Sequence, residues 1–157
     1  MAEFLPKSIV VTTDLSPAAT AAYPAARSLA VAYEATVTLL TCIDISIHLG
    51  ESSAGFEMPI VYLPEAAGAL KDRAETELKE HLIRHFPGMA ARHAVQVAAR
   101  PVHHTILQYI ADSGADLVVT ASHGRTGISR AILGSVAEQI ARQSRKPTLI
   151  IPTGKGE

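Results

Sequence analysis

Apolar and polar positions along this chain switch repeatedly between a strand period and a helix period. Short apolar runs occur at Ser8–Thr13 (SIVVTT), from Ala35 to Ile43 through Val37, Leu39 and Leu40, at Ala94–Ala99 (AVQVAA), at Leu117–Val119 and at Thr148–Ile151. Runs of this kind bounded by turn residues suit buried strands. Between them lie segments with helical spacing. The first, Ala18 to Ala32, is rich in alanine, with Ala22, Ala26 and Leu29 or Ala30 on one face, Ser16 as N-cap and Pro17 at the first helical position. A charged helix is predicted from about Glu65 to Phe86, with Leu70, Ala74, Leu78, Leu82 and Phe86 as its buried stripe and Glu75–Lys79 and Glu80–Arg84 as exposed pairs. Pro87-Gly88 ends it. Pro101 opens the next helix, which turns Ile106, Leu107, Ile110 and Ala111 inward and ends at Gly114. The last helix opens on Gly134-Ser135.

Strands alternating with helices predict an α/β chain, a single doubly wound domain over residues 1–157 with a parallel sheet and helices on both faces. Residues 45–64 interrupt the rhythm with two Gly, two Pro and a Ser-Ser pair. They read as a loop, either a functional cover or a disordered stretch.

Composition narrows the function more than the fold. The chain has 157 residues, enough for a substantial core, with 48% hydrophobic and 18% charged residues and a formal net charge of −1. That balance gives no bulk attraction to nucleic acid or to an anionic membrane. No apolar run approaches the roughly 18 residues needed to span a bilayer. The start, MAEFLPKSIVVTTD, lacks the basic opening and long apolar core of a secretory signal. The single cysteine, Cys42, leaves no internal disulfide framework. A cytoplasmic location is the expectation.

The chemistry concentrates in ADLVVTASHGRTGISRAILGSVAEQIARQSRKPTLII, residues 115–151. A strand, a small glycine-bearing loop and a helix N-terminus can together offer unpaired backbone N–H groups to an anion. Glycine permits close approach because it has no side chain. Simpler readings stand beside this one. Ser135-Val136-Ala137-Glu138 is also a capping box, which starts a helix without any ligand. Gly124 and Gly127 could serve only as turn residues, Asp14 as a turn or helix-entry residue, and Cys42 as a small buried hydrophobe.

The same stretch resembles the universal stress protein family, through Ser122-His123-Gly124-Arg125-Thr126-Gly127 and Leu133-Gly134-Ser135-Val136-Ala137-Glu138. The family's nucleotide-binding branch carries G-x-x-G-x9-G-[ST], which falls here on Ala121, Gly124, Gly134 and Ser135, with Ala121 in place of the first glycine. The resemblance extends to the first strand and Asp14. It implies a Rossmann-like five-stranded parallel sheet of order 3-2-1-4-5. Ligands of such sheets bind beyond the strand C-termini where the order reverses. Strands one and four would then bring Thr12-Thr13-Asp14 and Thr120-Ala121-Ser122 to one crevice.

The resemblance further implies the ligand, an adenine nucleotide (ATP, ADP or AMP), accompanied by Mg2+ or Mn2+ where ATP is bound. Gly124, Gly134, Ser135 and Val136 would offer backbone N–H groups to phosphate, and Arg125 a charged donor. Asp14 would accept from ribose hydroxyls or hold the divalent ion. Thr12, Cys42 and Ala121 would line the adenine pocket. His123 would either donate to phosphate or hold the loop, the second being preferred. A bulky Gly134→Val substitution would then weaken binding far more than folding. Two copies of the chain would pair through Thr148–Ile151, as family members do.

Other constellations carry less. His81 and His85 are four apart on a helix and His103-His104 are adjacent, but neither pair has the third ligand that zinc requires. Arg142, Arg145 and Lys146 sit where the last helix ends and complement its dipole. No G-x-x-x-x-G-K-[ST], G-x-G-x-x-G or G-x-S-x-G motif occurs. The leading expectation is a nucleotide-binding stress regulator that acts by binding and dimerisation. The alternatives are a slow ATPase, which would rely on Asp14 and a metal ion, and a ligand-free dimeric interaction module, which Ala121 would mark.

Overall fold

The computed structural model describes residues 3–48, 60–62, 64–98, 101–124 and 133–153. In chain order the elements are β1 (Ser8–Thr12), a 3-10 turn (Ala19–Ala22), α1 (Tyr23–Tyr33), β2 (Thr36–Asp44), β3 (Ser46–His48), β4 (Ile60–Tyr62), α2 (Pro64–His85), β5 (Ala91–Ala98), α3 (Val102–Asp112), β6 (Leu117–Ala121), α4 (Ser135–Gln143) and β7 (Thr148–Ile151).

Five strands form one sheet in the order β5-β2-β1-β6-β7, and every neighbouring pair is parallel. Counting only these five, the order is 3-2-1-4-5, as the family resemblance implies. Parallel strands need both faces covered, so their central residues are apolar on both sides. Ile9, Val11, Leu39, Leu117 and Val119 share a core with Ala22, Tyr23, Ala26 and Ala30 of the first helical segment and Leu78 of α2. Val10, Leu40 and Val118 share the opposite core with Ile106 and Ile110 of α3 and Ile140 of α4. Alternation along each strand therefore splits the apolar residues between two helical layers.

The first helix differs from its sequence expectation. Ser16 Oγ accepts the Ala19 N–H at 3.2 Å and steadies the turn there, but it is the N-cap of neither segment: the 3-10 turn has Ala18 at its N-cap with no side-chain bond, and the α-helix proper begins at Tyr23. Pro24 explains the division. It has no N–H to donate back to Thr20, so the turn cannot run on as continuous α-helix. On α2, Ala74 and Leu78 are buried and Leu82 partly so, Phe86 is buried just past the helix end, and Leu70 is 40% exposed. The ion pair formed on α2 among the described residues is Arg73–Glu77, at 2.9 Å. β5 begins three residues before the AVQVAA run. It is an edge strand, where Arg92 is tolerated and donates through Nε to Thr38 Oγ1 at 3.0 Å. Gly114 ends α3 as expected, with φ of +69° that suits glycine.

The expected loop at 45–64 has paired ends. Ser46, Ile47 and His48 lie antiparallel to Tyr62, Val61 and Ile60, a pairing that β-branched residues favour. Residues 49–59 and 63 lie outside the described residues. Among the described residues no helix is long and apolar enough to cross a membrane.

Candidate functional site

A cavity of about 560 Å³ opens where the sheet order reverses, beyond the C-terminal ends of β1, β2 and β6. Nine of the ten residues singled out from sequence line it: Thr12, Asp14, Cys42, Ala121, His123, Gly124, Gly134, Ser135 and Val136. The tenth, Arg125, lies outside the described residues. The lining also includes groups that sequence reasoning passed over, among them Asp44 at the end of β2 and Val102, His103 and Ile106 of α3. Only the strand order brings these to the same place, so no local signal reveals them.

The floor is fixed by buried hydroxyls. Thr12 Oγ1 donates to Thr120 Oγ1 at 2.8 Å, joining the ends of β1 and β6. The chain then turns sharply at Leu15, whose φ is +64°, an unfavourable conformation for a residue with a side chain. Two local bonds hold the turn: the Leu15 N–H donates to Thr13 Oγ1 at 3.0 Å, and the Ser16 N–H donates to Asp14 Oδ1 at 3.0 Å. The Asp14 carboxylate packs against Gly124 so closely that a Cβ there would overlap it. That contact explains the glycine without any special backbone angle.

Two helices begin at the cavity, α3 with Val102 and His103 and α4 with Ser135, Val136 and Ala137 in its lining. Their positive dipole ends favour an anion. The capping-box reading of Ser135 does not hold. The N-cap of α4 is Gly134, Ser135 is the first helical residue, no side chain among the described residues caps the helix, and Glu138 instead pairs with Arg142 at 3.0 Å. The first intrahelical bond runs from the Glu138 N–H to the Gly134 carbonyl. Among the described residues, the N–H groups of Ser135, Val136 and Ala137 therefore have no acceptor.

Gly134 corrects the sequence expectation in another way. Its N–H donates to the Ser122 carbonyl at 2.8 Å and so is not offered to the cavity. A Cβ on Gly134 would stand 2.8 Å from that same carbonyl oxygen. The glycine makes room for backbone as well as lining the cavity, so substitution there must disturb folding too. Ala121, the departure from the family pattern, is buried in the core on the α1 face. Its methyl thus contributes to packing.

His123 holds the loop. Its Nδ1 lies 2.9 Å from Ser122 Oγ and 3.1 Å from Thr153 Oγ1, while the Thr153 N–H donates to Ser122 Oγ at 2.9 Å. This knot ties the segment after β6 to the segment after β7. Burial, assisted by Asp44, pushes the Cys42 thiol up to about 12, which keeps it protonated and makes it an apolar wall group. Burial and the neighbouring His104 lower the pKa of His103, whose ring centroid lies 4.4 Å from that of His104. Among the described residues no three His, Cys, Asp or Glu side chains are placed to hold a metal ion.

Taken together, the cavity presents one apolar stretch (Cys42, Val102, Ile106) and one donor-rich stretch (the first turn of α4), with carboxylates at Asp14 and Asp44. That combination suits a ligand with an apolar ring, hydroxyls and an anionic group.

The model of the universal stress protein family matches residues 6–152. Universal stress protein MJ0531 of Methanocaldococcus jannaschii is 28% identical over 159 residues, covering 99% of this chain and 87% of that protein. The solved structure of MJ0577 superposes with a TM-score of 0.75 at 24% identity, over 97% of this chain and 99% of that one. A universal stress protein in complex with cAMP gives 0.59 at 22% identity, over 96% and 99%. A family protein from Arabidopsis thaliana with AMP bound gives 0.60 at 13% identity, over 96% and 94%. At these identities the structural likeness establishes the fold alone.

Proposed function

We propose that this chain, which belongs to the universal stress protein family, binds an adenine nucleotide in the cavity at the sheet's switch point and acts as a cytoplasmic stress regulator through binding. The observation that carries the reading is the first turn of α4, whose N–H groups have no acceptor among the described residues and share one cavity with the Asp14 carboxylate. Ser135, Val136 and Ala137 would hold phosphate with the helix dipole behind them. Asp14 would accept from ribose hydroxyls, or hold a Mg2+ or Mn2+ ion bound with ATP. Cys42, Val102 and Ile106 would face the base. Structures of two relatives, one with cAMP and one with AMP, support this choice of ligand. Two copies would pair through β7, the sheet-edge strand, where Leu149 is 36% exposed.

The test is calorimetric titration of nucleotide-stripped protein with ATP, with and without magnesium, and with AMP. Saturable binding near one ligand per chain is expected, and the ATP-to-AMP ratio measures what the phosphate contacts add. Absence of heat from every ligand at millimolar concentration would refute the assignment.

A further inference from the structure

Tyr23 is the largest fully buried side chain among the described residues, 1% exposed at the start of α1. Its hydroxyl nevertheless has two partners. It lies 3.0 Å from Thr13 Oγ1 and 2.8 Å from His81 Nδ1 of α2. Thr13 Oγ1 is the same atom that accepts the Leu15 N–H and holds the left-handed turn beside Asp14. The ring of Tyr23 is fixed by edge contacts with His81 and His85, at centroid distances of 5.7 and 5.1 Å, and by a tilted contact with Phe86 at 5.5 Å. A continuous chain of hydrogen bonds thus runs from helix α2 to the turn that presents Asp14 to the cavity.

We propose that Tyr23 and His81 are positioning residues for the Asp14 turn, so that the protonation and placement of helix α2 set the cavity's affinity for its nucleotide; this rests on the nucleotide reading above. Tyr23 has one proton for two neighbours, and His81 decides its direction. When His81 is cationic both ring nitrogens are donors, Nδ1 must donate to Tyr23, and the tyrosine proton is committed to Thr13. A neutral His81 protonated on Nε2 accepts the tyrosine proton instead, and the Thr13 hydroxyl becomes a donor. The charges facing His81 are Glu77, Glu80, Arg84 and His85 along α2, and Asp14 acts on Tyr23 from the β1 side. Burial, then His85 and Arg84, lower the His81 pKa against the opposing carboxylates. The change of direction is therefore expected below pH 6.5.

Amide spectra of the full chain without nucleotide, recorded from pH 7.5 to 5, test the coupling. The Leu15 and Asp14 amides should shift with the midpoint of the His81 ring titration. Tyr23→Phe should abolish that dependence, and His85→Gln should preserve it. In calorimetry, Tyr23→Phe and His81→Gln should each weaken AMP binding by roughly three- to tenfold, the range of one ordinary hydrogen bond. Amide shifts that ignore His81, or that follow it unchanged in Tyr23→Phe, overturn the proposal. If the wild-type chain takes up no nucleotide, the cavity assignment fails and the effect on affinity with it, while the amide titration still decides whether α2 controls the turn.

Discussion

Alanine at position 124 probes the contact on which the site is built. A Cβ on Gly124 would overlap Asp14 Oδ2 and lie 2.9 Å from Cγ, closer than real Cβ atoms come. Gly124 does not have a positive φ, so alanine is conformationally allowed and the clash alone decides the cost. The carboxylate is the end of a side chain and must give way, at the expense of the bond that Asp14 Oδ1 accepts from the Ser16 N–H. Overpacking of this kind costs about 1–3 kcal/mol, comparable to loss of a hydrogen bond to a charged group, about 1.5–3 kcal/mol. At about 2–4 °C per kcal/mol for a chain of this size, Tm should fall by roughly 2–12 °C. Urea denaturation followed by circular dichroism gives the free energy, and a double-mutant cycle gives the cause. In an Asp14→Ala background the obstacle is gone, so Gly124→Ala should be neutral, or stabilising by about 0.4–1 kcal/mol through the unfolded chain. The coupling between the two sites should then reach about 1–4 kcal/mol. Additive costs would refute the reasoning, because they would mean that the carboxylate does not constrain position 124.

Gly134→Val should lower stability and nucleotide affinity together, since its Cβ meets the Ser122 carbonyl; parallel melting and calorimetry would show unchanged stability if that packing is wrong. The thermal midpoint should fall on acidification. His81, His85 and His103 all have folded pKa values below the ordinary 6.5, so the unfolded chain binds more protons, and their stabilising contribution is present above pH 6.5 and lost as pH falls through the folded values. Scanning calorimetry from pH 7.5 to 5 checks this, and a flat profile would contradict it. Sedimentation should show a dimer that Leu149→Lys converts to monomer, and a wild-type monomer would remove β7 as the pairing edge.

The central strands were legible because SIVVTT and LVVTA must be buried on both faces. Their order was not, since periodicity says nothing about which strands are neighbours; it came from the family resemblance. Pro24 is visible in the sequence, yet the regular spacing of Ala22 and Ala26 conceals the break it causes. β5 begins earlier than its apolar run because an edge strand can hold Arg92 and His93. At the site, residues 121–136 stood out through glycine and helix-start chemistry, and Asp14 through the family resemblance. Val102 and Ile106 looked like ordinary helix residues and His103 like part of an incomplete metal pair, and only the crossover through α3 carries them to the cavity. The Tyr23–His81 bond joins positions 58 apart, and nothing local in either segment announces it.

The sheet order divides the chain in a way that gives occupancy of the cavity a physical meaning. β5, β2 and β1 come from the first part of the sequence and β6 and β7 from the last, and the two groups meet in the sheet along a single seam between β1 and β6. The Thr12–Thr120 bond lies at the end of that seam, where the cavity opens. One wall comes from Asp14, Cys42 and Asp44, the other from residues 121–124 and 134–137. A bound molecule therefore staples two remote segments of one polypeptide, and its binding energy, growing as RT ln(1 + [L]/Kd), resists their parting. Ligand concentration is thereby converted into cohesion of the sheet.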